Sequence, residues 1–531
     1  MVNLRPVSLF LLAATAFAQN PCGEPHQLGM PFPTGAIDGR LNDVFAFSNR
    51  DLWAVGNFAR EPQGNLNTYT WILHWDGDRF TTVPSPSPGI PNLRTWCELH
   101  AVGGSSPNDV WAAGTYERVF PNNSHIGPQL LLLHWDGSTW TQVPEPLPQF
   151  TYMASSSGTR VDDIVVLSPN DVWFFGWWPG DQFTPAGPLS LHWDGSNWSI
   201  NIGPLPNSNS RWGFVDVDAV SPNEFFGVAS TGSGNYGHWF GRWNGSSWSR
   251  ITGLPTQPVT YYQLTTVCPV GSNDVWIGGV ESPLTGGGGS VPYVLRWNGS
   301  SFTRHTMQGF PNEMVAFSAN DIWAFGTTIE HWNGTAWTLV QDLQQNLLSA
   351  QGMEAVATGP CELRTVGTQW SGTVTHRVLP LAARVGGAQG GSASLRLPCF
   401  VPQLRQSLLP LTTPRIGRTL RVVVDDPLGT FGMRTGIPTL WLFAFTGGLG
   451  FPCGTTIPGP GIGGTSIEVM LDSSATVATT AIWNGPGQPA EHVVPVPAIG
   501  SLVGLTNATQ AAFLDTRGVA MTSALDLRVG Q

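Results

Sequence analysis

The sequence predicts an all-β protein. Its 531 residues include 24 Trp and 64 Gly, and every basic residue is Arg, so strand and turn formers abound while helix-favouring Lys is absent. A block best seen at Ser106-Pro107-Asn108-Asp109-Val110-Trp111-Ala112-Ala113-Gly114 is followed, after a variable insert, by Leu131-Leu132-Leu133-His134-Trp135-Asp136-Gly137-Ser138-Thr139-Trp140. Close copies recur, with the block's Trp at Trp53, Trp111, Trp173, Trp276 and Trp323, a Phe at Phe226, and a decayed seventh copy at Arg364, spaced 41 to 62 residues apart. That is the period of a four-stranded propeller blade.

Each element has its own signal. In the third copy a strand over 161–167 ends at the Ser-Pro-Asn-Asp turn, and a second strand covers 172–176. An insert, a third strand over 189–193, an Asp-Gly turn and a fourth strand over 198–202 complete a meander. The Asp/Asn-Gly pairs at 76, 136, 194, 244, 298 and 333 separate apolar runs, a strong hairpin signal. One such sheet cannot bury both faces, so the copies must pack around an axis; seven copies imply a seven-bladed ring over 37–384. The last copy lacks a fourth strand, and the segment 19–36 offers one at Gln27-Leu28-Gly29-Met30-Pro31, which would close the ring and hide two edges.

The ends of the chain read differently. Residues 1–18 combine Arg5, an apolar run at Leu9-Phe10-Leu11-Leu12 and the small-x-small site Ala16-Phe17-Ala18, which reads as a signal peptide for secretion or display at the cell surface. Residues 385–395 are rich in Gly, Ala and Ser and read as a linker. From 396 to 531 the repeat is gone, and short strands between Pro/Gly turns predict a small antiparallel β-sandwich. No later stretch is long and apolar enough for a transmembrane segment.

Charge and cysteines narrow the partners. A net charge of −11 argues against nucleic acid and anionic lipid. Six Cys in an oxidising compartment permit three disulfides. Cys399 with Cys453 is the favoured pair, since both fall in the C-terminal domain, while Cys22, Cys97, Cys268 and Cys361 stay open.

The Ser-Pro-Asn-Asp-Val-Trp and His-Trp-Asp-Gly-Ser-x-Trp repeats resemble those of secreted bacterial β-propellers grouped with kelch and galactose-oxidase-like rings. The C-terminal segment, above all 502–531 with its closing Ala524-Leu525-Asp526-Leu527-Arg528-Val529-Gly530, is similar to a β-sandwich that ends many exported planctomycete proteins. The resemblance implies fold and export; function lives in the site.

Two repeated columns look structural. His74, His134, His192, Arg242, Arg296 and His331 accompany Asp51, Asp109, Asp171, Glu224, Asp274 and Asp321 one strand away, so each pair is expected to tether its own blade's two hairpins. In a meander the two short turns share one face, and the inserts and the links between blades share the other. Binding is expected on that second face, where loops vary on a rigid scaffold.

Two features converge there. Aligned first strands give a column at Asp43, Ala101, Asp163, Asp216, Thr266, Glu313 and Glu354, acidic in five of seven positions. Crowded carboxylates either share a cation such as Ca²⁺ or are solvated strand ends bonded to neighbouring backbone. The inserts and links also carry aromatic residues, among them Trp96, Trp177 and Trp178 with Asp181, Tyr116, Tyr152, Trp212 and Tyr262, which suit a sugar ring or fill space between blades. The sequence holds no recognisable nucleophile motif, phosphate loop or metal motif. The reading is a monomeric secreted binding protein for a glycan or an extracellular protein on the long-loop face. The alternative is a carbohydrate-active enzyme, a glycoside hydrolase or lyase, using acids such as Asp163, Asp216, Asp218 and Glu313 at the channel mouth.

Overall fold

The computed structural model describes His26, Gln27, Pro31, Pro33, Ala36 and most of the chain from 38 to 529. Outside the described residues lie 1–25, 61–66, 89–94, 120–124, 147–157, 181–185, 204–211, 232–237, 256–259, 284–288, 343–349, 372–376, 386–391, 397–406, 427–431, 445–454 and shorter gaps.

The protein is an all-β propeller. Among the described residues seven four-stranded antiparallel sheets follow one another. Their inner strands are Asp38–Ser48, Thr95–Ser106, Arg160–Ser168, Trp212–Ser221, Thr260–Gly271, Pro311–Ser318 and Ala350–Gly359. Each packs against the next, and the last against the first, so the set is cyclic. The final sheet takes its fourth strand from the other end of the chain: His26 pairs with Arg384 and Gln27 with Ala383.

Apolar residues from both faces of the sheets fill the seams. Trp53, Val55 and Ile72 of the first sheet meet Leu99, Val110, Leu131 and Trp140 of the second. Trp111, Ala113 and Leu132 on the second sheet's other face meet Phe174, Trp178 and Leu191 of the third. Because side chains alternate across a strand, each sheet serves two seams at once.

The short-turn face is held by the expected pairs. His74, His134, His192 and His331 place Nε2 2.7 to 2.8 Å from Asp51, Asp109, Asp171 and Asp321. Each imidazole also lies 4.0 to 4.5 Å from the Trp of the same block. Where Arg replaces His, Arg242 meets Glu224 and Arg296 meets Asp274, both at 2.7 Å. The Asp/Asn-Gly hairpins are four-residue loops in which Gly has φ of 89 to 94°. A Cβ on Gly137 would also come within 2.8 Å of the Asn108 side chain in the neighbouring turn, so both conformation and contact demand glycine there.

The C-terminal unit has a five-stranded and a three-stranded sheet. They enclose one core in which Leu420, Val422 and Val424 of the smaller sheet meet Trp441, Trp483, Phe513 and Leu525 of the larger. The segment expected as a linker, 385–395, carries the start of a strand. Ser392–Arg396 pairs with the strand Gly518–Arg528 as an edge of the larger sheet. Small residues are tolerated at an edge because the partner strand supplies the pairing, and composition alone does not reveal that partner. Cys97 and Cys268 are buried free thiols. Cys399 and Cys453, like Cys22 and Cys361, lie outside the described residues.

Candidate functional site

The site begins with a defect repeated in every inner strand. Register slips between Leu41 and Asp43, Leu99 and Ala101, Val161 and Asp163, Phe214 and Asp216, Leu264 and Thr266, Pro311 and Glu313, and Gln351 and Glu354. Such a bulge re-aims the residue that follows it. It also brings the inner strand against its neighbour: a Cβ on Gly56, Gly114 or Gly176 would lie 1.9, 1.9 or 2.0 Å from the carbonyl oxygen of Arg40, Glu98 or Arg160. The glycine that closes the repeated block is therefore fixed by the bulge opposite it.

The residue after the bulge is the acidic column, and its carboxylates bind backbone. Asp43 accepts the Val44 N–H at 2.7 Å with Oδ1 and the Val102 N–H of the next sheet at 2.6 Å with Oδ2. Asp163 does the same with Ile164 and Val217, both at 2.7 Å. Asp216 accepts the Val267 N–H at 2.7 Å. An inner strand has an unpaired edge on the axial side, and an unmet N–H there is costly, so the carboxylate of one blade supplies the acceptor the next blade lacks. Asn42, in the first bulge, adds a bond to the Leu99 carbonyl at 2.7 Å and one to Glu98 Oε1 at 3.2 Å. Thr265 Oγ1 reaches the Pro311 carbonyl at 2.6 Å.

The column is also electrostatically strained. Burial pushes Asp43 up to about 7 against its amide bonds. Burial, then the neighbouring Asp218 charge, does the same to Asp216, and burial, then Asp163, raises Asp218 to about 7. Asp163 and Glu313 are raised by burial first and by the Asp216 charge second, Glu354 by burial and then the Asp43 charge, and the Glu354 carboxyl is hydrogen-bonded to Glu313. Each keeps some contact with water along the axis, Asp218 most of all. Among the described residues no three His, Cys, Asp or Glu side chains stand where they could hold one metal ion. The oxygens of Asp43 and Asp163 that a Ca²⁺ would need are turned to amides.

The aromatic residues divide in a way the sequence does not reveal. Trp178, 6% exposed, belongs to the seam between the second and third sheets. Tyr262 is buried between the fourth and fifth, its hydroxyl 3.3 Å from Glu281. Neither offers a face to a ligand. Tyr116 is half-buried against the first seam, and Trp177 is half-buried with its Cβ against Gly213 of the next sheet. Asp181, Tyr152 and the side chain of Trp212 lie outside the described residues.

Among the described residues Trp96 is the exposed large aromatic, at 53% exposure. It stands two residues before Glu98 near the start of its inner strand, at the long-insert end, and alternation puts both on one side of that strand. Arg40, Arg160 and Gln263 hold the positions of Glu98 in their own strands, three before the acidic column, and all three are exposed. Arg160 is paired with Asp162 at 2.7 Å. On the same face Arg60 lies 5.4 and 5.3 Å from the stacked rings of Phe58 and Tyr69. The arrangement is an aromatic and hydrogen-bonding rim above a ring of carboxyls.

No family model matches the chain, and no curated protein does. Several solved structures are similar to it over about two thirds of its length. YCF48 bound to a D1 peptide is 16% identical, with a TM-score of 0.41, over 70% of this chain and 97% of its own. An ulvan lyase of the family PL25 is 8% identical, with a TM-score of 0.42, over 69% and 96%. An α-L-arabinanase of Penicillium chrysogenum is 15% identical, with a TM-score of 0.35, over 68% and 98%.

Proposed function

We propose that this propeller is an exported binding protein that holds a glycan or an extracellular protein segment on its long-insert face, at the axial mouth beside Trp96. The observation that carries the reading is Trp96 itself, a large aromatic left 53% exposed on a rigid inner strand. An indole face stacks on the C–H face of a sugar or on a flat side chain, and flanking guanidinium, amide and carboxylate groups supply orientation. Arg40, Glu98, Arg160 and Gln263 are the groups of those types at that level.

The test is a glycan and peptide array probed with the mature chain and with Trp96→Ala. Binding that disappears in the variant while its unfolding curve is unchanged supports the reading. Binding that survives moves the ligand away from the rim.

A second reading, a glycoside hydrolase or lyase, is favoured by one observation. Asp218 is the most water-accessible carboxyl of the ring, and the crowded site, by burial and by the Asp163 charge, holds it above the ordinary carboxylate range, in the direction a general acid needs. Turnover of any polysaccharide that Asp218→Asn abolishes would establish it. Asp43 and Asp163 fit that role less well, since both their oxygens hold backbone amides.

A further inference from the structure

The turn between third and fourth strands repeats one geometry with two chemistries. Its first residue is Asp76, Asp136 and Asp194 in the first three sheets and Asn244, Asn298 and Asn333 in the next three, always followed by glycine. At Asn244 the side-chain oxygen accepts the Ser246 N–H at 3.0 Å, Ser246 Oγ at 2.9 Å and the Ser247 N–H at 2.9 Å. Asn298 receives Ser300 N–H, Ser300 Oγ and Ser301 N–H at 3.0, 3.0 and 2.8 Å. Asn333 receives Thr335 N–H, Thr335 Oγ1 and Ala336 N–H at 3.0, 2.7 and 3.0 Å. All three asparagines are exposed, and no backbone hydrogen bond engages the N–H of Gly245, Gly299 or Gly334 among the described residues.

We infer that Asn244, Asn298 and Asn333 are sites of spontaneous deamidation promoted by the turns that hold them. The backbone nitrogen of the following glycine attacks the asparagine Cγ and gives its proton to solvent, forming the new C–N bond. The side-chain nitrogen takes a proton from solvent, its bond to Cγ breaks and it leaves as ammonia, which leaves a five-membered succinimide. Water adds to either ring carbonyl and opens it to aspartate or isoaspartate, with no change of oxidation state.

Glycine suits the attack because it has no Cβ to obstruct the approach. In the tetrahedral intermediate the electron pair sits on the amide oxygen. Three donors already converge on that oxygen, as an oxyanion hole would.

The second and third sheets show where the reaction ends. Asp136 and Asp194 accept the same three kinds of donor at 2.6 to 2.9 Å. Hydrogen bonds from Ser138 to Asp136 and from Asn197 to Asp194, the largest causes, bring those carboxyls down to about 2. An ionised carboxylate is a poor electrophile, so the aspartate product is stable, and the turn already accommodates it. Each conversion adds one negative charge to the short-turn face of a chain that starts at −11.

The experiment incubates the folded full chain at mildly alkaline pH in ¹⁸O-water and maps its peptides by mass spectrometry. Label should enter positions 244, 298 and 333 as aspartate and isoaspartate, and should not enter Asn197, which Trp198 follows. In Ser246→Ala, position 244 should slow by about two- to tenfold, the worth of one hydrogen bond, against positions 298 and 333 as references in the same molecule. Absence of label from the folded chain, while chain unfolded in guanidinium takes it up, would mean that the turn pins the amide away from the glycine nitrogen and would overturn the inference. An unchanged ratio in Ser246→Ala would overturn the oxyanion role.

Discussion

Replacing Asp43 by Ala should destabilise the propeller, and the loss should be larger at pH 5 than at pH 8. Two backbone donors lose their acceptor, the Val44 N–H and the Val102 N–H. Leaving a buried donor unmet costs about 1–3 kcal/mol, so the pair sets a loss of about 2–6 kcal/mol. Asp43 works against this at higher pH. Burial raises its folded carboxyl from 3.8 to about 7, so between those values the folded chain binds more protons than the unfolded one. Its proton-linked contribution is complete below pH 3.8 and is lost as pH rises through 7. The shift corresponds to about 4 kcal/mol, which the water reaching the axis reduces to about 2 kcal/mol. The variant has no such group, and only about two thirds of that window lies above pH 5, so its deficit should shrink by about 1 kcal/mol from pH 5 to pH 8. Denaturant unfolding followed by tryptophan fluorescence at both pH values measures it. A deficit below about 0.5 kcal/mol at pH 5 would refute the amide bonds as joints between blades. A deficit independent of pH would refute the raised carboxyl.

Further outcomes follow from the same contacts. Gly114→Ala drives a Cβ to within 1.9 Å of the Glu98 carbonyl oxygen and should cost about 3 kcal/mol by the same unfolding assay, whereas Gly289→Ala, with open space around it, should cost little. Glu330→Ala removes the buried acceptor of the Gln308 and Gly309 amides and of Thr328 Oγ1, and should lower stability by about 3–5 kcal/mol, with Glu330→Gln retaining part of it. His492, buried between Thr439 and Thr479, has its imidazole pushed down to about 4 by burial. The unfolded chain therefore takes the proton first, and the C-terminal unit should lose up to about 3 kcal/mol as pH falls from 6.5 through 4; calorimetry of His492→Gln should show a shallower fall. Trp96→Ala should leave stability within about 0.5 kcal/mol, since so exposed a ring contributes little burial.

Much of the fold is legible because each blade solves the same problems. The Ser-Pro-Asn-Asp turn, the His and Trp of the third strand and the Asx-Gly hairpin recur since each secures the next. Trp75, Trp135 and Trp332 donate Nε1–H to the carbonyls of Asn49, Pro107 and Ala319 in the facing turn. The site is less legible, for a geometric reason. A bulge shifts the alternation of side chains by one, so counting by twos through Asn42 or His100 assigns the wrong side to everything beyond. The sequence names Trp96, Trp177 and Trp178 alike, and only the packing of neighbouring sheets separates the exposed Trp96 from the half-buried Trp177 and the buried Trp178. The acidic column is legible as carboxylates that either share a cation or bond neighbouring backbone, but which amides meet them, such as those of Val102 and Val217, is concealed until the strands are placed.

The two-residue pairing of His26 and Gln27 with Ala383 and Arg384 gives the ring an asymmetric mechanical character. Six sheets are each drawn from one continuous stretch and would resist tension as whole meanders. The seventh is clasped by two register pairs and by the packing of Ala36, Leu41 and Val44 against Val366. Tension between the start of the chain and the C-terminal unit loads that clasp before any other element. The ring should yield there first, peeling open as an arc while the six remaining sheets still hold their seams.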